Sequence, residues 1–182
     1  LICDRARPVA LAGIMGGENS EVLPTTTSVV LESAYFNPGC IRRTSRSLGL
    51  STEASYRFER GVDPGMQVTA ADRAACLMVR HAGARVYRGA IDVNHLEAGP
   101  KTVGLRASAL SGVLGIGSTD PAEVRRIFEG LGCRIEDAQG GWNVSIPTHR
   151  HDLGREIDLV EEFVRIHGMD KVAPELPVFR PS

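Results

Sequence analysis

The chain holds 182 residues, 42% hydrophobic and 24% charged, an ordinary globular balance with room for one large or two small domains. A formal net charge of −1 excludes a general electrostatic pull toward nucleic acid, so an RNA contact must be a local patch or one shared with a partner. Four scattered cysteines (Cys3, Cys40, Cys76, Cys133) with no C-x-x-C pair exclude a metal-finger pattern and read as reduced thiols of a cytoplasmic protein. No apolar run of about 18 residues is present, so no membrane-spanning helix is expected.

The chain opens on Leu1-Ile2-Cys3-Asp4, which reads like the inside of a strand, as expected of a piece of a longer polypeptide. Leu1–Cys3, Val9–Ala12 and Val29–Leu31 are apolar runs of strand length. Between the last two, Gly13-Ile14-Met15-Gly16-Gly17 suggests either a hairpin turn or a backbone that something must approach closely. Neither phosphate-loop pattern is present. A helix is predicted from Asn37 or Pro38 to about Leu48, stopped by Gly49, with Arg42, Arg43 and Arg46 as a basic face. That face is either solvated or a phosphate contact.

Residues 52–64 concentrate charge, aromatic surface and turn chemistry. Thr52 is expected to N-cap a helix that puts Tyr56, Arg57, Glu59 and Arg60 on about two turns and stops at Gly61. Asp63-Pro64 is expected to cap a long helix reaching about His81, followed by a strand over Val86–Val93. A linker, Glu97-Ala98-Gly99-Pro100, then separates this α+β domain from a second.

The second domain reads as a strand at Val103–Leu105, a helix at Ala107–Leu114, and a helix over Ala122–Leu131 capped by Asp120-Pro121. A hairpin, Cys133–Glu136 and Trp142–Ile146, turns at Gln139-Gly140-Gly141. A last helix runs from Gly154 to His167, and Pro174–Ser182 reads as an exit linker. On the last helix Ile157, Leu159, Val160, Phe163, Val164 and Ile166 share one half of the wheel. Asp158, Glu161 and Glu162 on the other half are three and four residues apart, so they are neighbours, and Asp152 lies just ahead. Such a set reads as oxygen ligands for a hard cation, or as an acidic face neutralised by Arg155 and Arg165. His149 and His151 alternate as in a strand but lack a third ligand for zinc.

Several segments, in order, resemble the beta chain of bacterial phenylalanyl-tRNA synthetases. Leu11-Ala12-Gly13-Ile14-Met15-Gly16-Gly17, Leu31-Glu32-Ser33-Ala34-Tyr35-Phe36, Arg42–Leu50 and the stretch 52–64 are similar to motifs of that family's editing domain. Asp152, the run Ile157-Asp158-Leu159-Val160-Glu161-Glu162 and Arg165-Ile166-His167-Gly168-Met169-Asp170 are similar to motifs of the small domain that follows. The departures are His151, His167 and Met169, where the family commonly carries aromatics.

The resemblance implies an α+β fold with the editing domain over residues 1–96, the small domain over 97–174 and an exit linker over 175–182. It implies hydrolysis of mischarged Tyr-tRNA(Phe), with Glu32 reading the tyrosine hydroxyl, Gly13 and Gly16 allowing close approach, and Thr52 and Ala54 as walls. It implies Mg2+ on Asp152, Asp158, Glu161 and Glu162, and an alpha subunit in an alpha2/beta2 tetramer that charges tRNA(Phe) using ATP. Histidine and asparagine contributions to editing are expected upstream of Leu1. No Ser-His-Asp or Cys-His set is visible, so positioning of ester and water is expected in place of a covalent intermediate.

Two other readings stand beside this one. The helix pair 107–114 and 122–131 with its hairpin suggests a helix-turn-helix with a wing, hence a non-catalytic RNA-binding or scaffold module, although the helices lack a cluster of base-reading side chains. A free-standing deacylase is the third, and the acidic small domain behind the first argues against it.

Overall fold

The computed structural model describes residues 1–96 and 100–174. The linker expected at 97–100 lies mostly, and the exit linker at 175–182 wholly, outside the described residues. The chain forms two compact units, Leu1–Asn94 and the remainder from His95. Both combine helices with a small antiparallel sheet, the α+β fold expected.

In the first unit β1 (Ile2–Cys3), β2 (Pro8–Leu11) and β3 (Met15–Gly16) form an antiparallel sheet in that order. Gly13 makes the turn between β2 and β3 at φ 67°, a left-handed conformation that costs other residues about 1–2 kcal/mol. A Cβ there would also come within 2.6 Å of Phe36 Cδ2 and 2.8 Å of Ile41 Cδ1. Helix α1 (Pro38–Leu48) starts as expected: Asn37 Oδ1 accepts from Cys40 N at 3.0 Å, and Gly49 ends it at φ 66°. Its inner face seats Ile41 and Ser45, leaving Arg42, Arg43 and Arg46 exposed.

Helix α2 (Glu53–Phe58) is capped by Thr52, as the sequence predicts, but ends before Gly61, which turns at φ 90° three residues later. Its charges pair locally: Arg57 with Glu53 at 3.1 Å, and Arg60 with Glu59 at 3.0 Å while stacked 3.4 Å over the Tyr56 ring. Asp63 does not cap α3 (Gln67–Ala82); its carboxylate accepts from Gly65 N, forming a turn that delays the helix to Gln67. No strand forms over Val29–Leu31 or Val86–Val93. A strand exists by virtue of a partner ladder, and none of the described residues supplies one: Val30 is 99% and Ile91 97% exposed.

The second unit has the larger core. β4 (Lys101–Arg106) pairs with β6 (Gly141–Ile146), which pairs with β5 (Arg134–Ala138), all antiparallel. The register sets Leu105 opposite Trp142 and Val103 opposite Val144, so alternate residues face inward. Onto that face pack α4 (Ala107–Leu114), α5 (Pro121–Gly130) and α6 (Glu156–His167), burying Leu110, Val124, Phe128, Leu159 and Phe163. Asp120 caps α5 by accepting from Ala122 N at 2.9 Å, with Pro121 at the first helical position. Helix α6 begins at Glu156, two residues later than expected, because Asp158 turns back to accept from Gly154 N and Arg155 N at 3.0 and 2.8 Å. Ile157 and Ile166, assigned to the apolar half of its wheel, lie at the edges of the buried stripe and stay exposed. His149 and His151 stand in exposed turns and not in a strand, because β6 ends at Ile146.

Candidate functional site

In the first unit four separated segments, the first of them β1 through Ile2, meet around a cleft of about 460 Å³, a size ordinary for a small-molecule site. The β2–β3 turn contributes Gly13, Ile14, Met15 and Gly16. The segment before α1 contributes Glu32, Ala34 and Phe36, and α2 with its cap contributes Thr52, Glu53 and Ala54 from its start and Phe58 from its end. All five first-domain positions singled out from sequence, Gly13, Gly16, Glu32, Thr52 and Ala54, line this cleft.

Their roles differ. Gly13 is a glycine because of its backbone conformation and its packing on Phe36 and Ile41. Gly16 faces open space, with nothing within 4 Å of an added Cβ, so a side chain there would take up room near the cleft without disturbing the fold. Glu32 is exposed, and among the described residues no hydrogen bond or ion pair engages its carboxylate, which leaves it able to accept from a ligand. Phe36 and Phe58 meet edge to face, ring centroids 4.9 Å apart, and make an apolar wall that the sequence reading did not identify. Thr52 Oγ1 accepts from Ser55 N at 3.0 Å and donates to Ile14 O at 2.5 Å, tying the helix start to the glycine turn. Ser55, also missed, completes the capping pair; its sequence signal is the T-x-x-S spacing.

The acidic set of the second unit is not gathered into a ligand sphere. Arg150 donates to both oxygens of Asp152, at 2.7 Å from Nη2 to Oδ2, and to Glu162 at 3.1 Å. Arg165 donates to Glu162 at 2.8 and 3.1 Å, and Arg155 to Asp158 at 3.0 Å. Glu161 points to solvent on the exposed side of α6. Glu162, assigned to the polar half of the helix, is buried because the two arginines cover it. Among the described residues no group of three or more carboxylate, histidine or cysteine side chains is placed to hold a metal ion.

This network shifts its acids. The guanidinium of Arg150 holds the Asp152 carboxyl below its ordinary 3.8, and Arg165, then Arg150, hold Glu162 below 4.5 despite burial, which acts the other way. Arg155 and the Gly154 N–H lower Asp158 likewise. A folded-state value below the unfolded one contributes stability at neutral pH that is lost as pH falls through the folded value. The second unit is therefore expected to lose denaturant resistance as pH drops below about 4.5 and onward past 3.8. Trp142, the one tryptophan of the chain and 6% exposed, reports it by fluorescence. A urea midpoint equal at pH 6 and pH 3 would contradict this.

Comparison with known proteins is consistent along the chain. The family model of the B3/4 domain matches residues 1–83, and that of the tRNA synthetase B5 domain matches residues 103–169. Curated proteins named phenylalanine--tRNA ligase beta subunit align over nearly the whole chain. The protein from Syntrophus aciditrophicus is 46% identical over 98% of this chain and 22% of its own length. That from Geobacter sulfurreducens is 47% identical over 97% and 22%, and that from Bacillus licheniformis 42% identical over 97% and 22%. The fold and these matches define a B3/4 domain followed by a tRNA synthetase B5 domain. The chain belongs to the phenylalanine--tRNA ligase beta-subunit family. It spans about a fifth of the length of the curated relatives it matches.

Proposed function

We propose that the first unit is the amino-acid pocket of an editing domain, which binds the tyrosyl end of mischarged Tyr-tRNA(Phe) for hydrolysis. The observation that carries this reading is the convergence of Gly13, Gly16, Glu32, Thr52 and Ala54, drawn from three segments, on one cleft. An apolar synthetic pocket rejects an analogue that only adds a hydroxyl by about 100-fold, so a second, hydrolytic pocket is needed. That pocket must gain from the hydroxyl that the first merely tolerates. Here Glu32 accepts a hydrogen bond from the tyrosine hydroxyl, while Phe36 and Phe58 flank the ring. Phenylalanine would leave the carboxylate desolvated and unpaired.

Water attacks the ester carbonyl carbon, the bond to the ribose oxygen breaks, and the water proton ends on that oxygen. The walls hold ester and water in place, so this unit acts by orientation and not through a covalent intermediate. Replacing Gly16 by leucine is expected to fill the cleft and lower Tyr-tRNA(Phe) hydrolysis at least about tenfold, with phenylalanine charging intact. Unchanged hydrolysis would remove the cleft from the reaction.

In this reading the parent is the beta chain of phenylalanine–tRNA ligase. It works with an alpha chain in an alpha2/beta2 assembly in the cytoplasm, on tRNA(Phe), with ATP consumed at the alpha chain's centre. No helix among the described residues is long and apolar enough to cross a membrane. A magnesium ion on Asp152, Asp158, Glu161 and Glu162 does not fit the arrangement as folded. Arg150 already bridges Asp152 and Glu162, and Asp158 is committed to the start of its own helix. The second unit's role is accordingly one of structure and assembly.

A further inference from the structure

We propose that Ser55, which is outside the cleft lining, is a positioning residue that sets the spacing of two cleft walls through Thr52; this rests on the editing reading above. Ser55 is 2% exposed and sits at the third residue of α2. Its hydroxyl accepts from Thr52 N at 2.9 Å and donates to Thr52 O at 3.1 Å, while its own N–H donates to Thr52 Oγ1 at 3.0 Å. These bonds hold Thr52 in one orientation, and a longer contact of 3.4 Å from Thr52 Oγ1 to Ser55 Oγ is secondary to the 2.5 Å bond the same hydroxyl makes to Ile14 O. With its acceptor side engaged by Ser55 N, the Thr52 hydroxyl directs its proton to Ile14 O, 38 residues away in sequence.

That bond joins two elements with few other polar ties. Helix α2 carries the walls Thr52 and Ala54, and the turn carries Gly13, Ile14 and Gly16. A cap would serve the helix alone. The additional bond to Ile14 O makes the same hydroxyl pair a latch between the walls, and Ser55 is the half of the latch that touches no ligand. Loss of the Ser55 hydroxyl removes both of its bonds to the Thr52 backbone and leaves Ser55 only its main-chain N–H on Thr52 Oγ1, so the capping residue is free to shift as a whole. Displacement of a wall by about 1 Å costs up to about 100-fold in a reaction that depends on placement.

The test uses the full beta chain assembled with its alpha partner and measures hydrolysis of preformed Tyr-tRNA(Phe). Ser55→Ala and Thr52→Val are each expected to lower kcat/KM about tenfold or more, with phenylalanine charging unchanged. The double variant is expected to lose no more than either single, because both break one latch. Ser55→Thr, which keeps the hydroxyl, is expected to restore hydrolysis. Indifference of Ser55→Ala, losses that multiply in the double variant, or a loss matched by thermal instability and not rescued by threonine would each overturn the proposal. A wild-type complex inactive on Tyr-tRNA(Phe) would overturn the editing reading with it, whereas an active wild type with an indifferent Ser55→Ala overturns the latch alone.

Discussion

Replacing Glu32 by alanine in the assembled enzyme is expected to lower the rate of Tyr-tRNA(Phe) hydrolysis by about 10- to 100-fold, leaving phenylalanine charging intact. The range is what one hydrogen bond to a charged acceptor contributes, about 1.5–3 kcal/mol. The loss falls on selectivity: the other carboxylate lining the cleft, Glu53, is paired with Arg57 at 3.1 Å, and the remaining walls are mostly glycine, alanine, aliphatic side chains and two phenyl rings, so without Glu32 tyrosine and phenylalanine esters become near equivalents. The fold is expected to be indifferent, since Glu32 is exposed and no hydrogen bond or ion pair to it is found among the described residues. Glutamine, which keeps an accepting oxygen without the charge, is expected to fall between. Equal hydrolysis by wild type and alanine variant would remove Glu32 from tyrosine reading.

The second large effect belongs to Arg150. Its guanidinium lies at the centre of a three-way contact with Asp152 and the 8% exposed Glu162. Removing one partner of a buried pair costs about 3–5 kcal/mol. Here Arg165 remains on Glu162 and Asp152 is half exposed, so about 2 kcal/mol is expected for Arg150→Met, read as a lower urea midpoint from Trp142. The same variant unmasks the acidic set. Wild-type chain is expected to melt at the same temperature with millimolar Mg2+ or with chelator, because an ion must first displace a resident cation. The methionine variant is expected to be stabilised by Mg2+, by about 1.4 kcal/mol at a tenfold excess over its Kd. Stabilisation of the wild-type chain by Mg2+ would show that Arg150 yields to the ion without help.

The elements with local signals are legible in the amino-acid sequence alone. Asn37-Pro38 and Gly49 bound α1, Asp120-Pro121 starts α5, and Gly115 follows α4, because capping and φ preferences act within a few residues. The apolar runs Val29–Leu31 and Val86–Val93 carry the composition of strands, but a strand is a property of two segments, and periodicity cannot supply the second. On α6, spacing makes Asp158, Glu161 and Glu162 neighbours correctly. It holds no trace of Arg150, which reaches Glu162 from a turn 12 residues earlier and converts an open acidic face into a neutralised one.

The cleft shows the same division. No spacing rule joins residues 13–16, 32 and 52–54; only resemblance picks these positions out, and tertiary folding brings them together. Thr52 as a cap is readable from its place before a helix, but its bond to Ile14 O is not, since the two are far apart in sequence.

The most direct measurement is the hydrolysis of preformed Tyr-tRNA(Phe) and Phe-tRNA(Phe), side by side, by the wild-type beta chain assembled with its alpha partner. The editing account predicts that the tyrosyl ester is cleared at least about 100-fold faster than the phenylalanyl ester, as expected of a pocket that must pair a hydroxyl. Equal rates, or no hydrolysis of either, would contradict it.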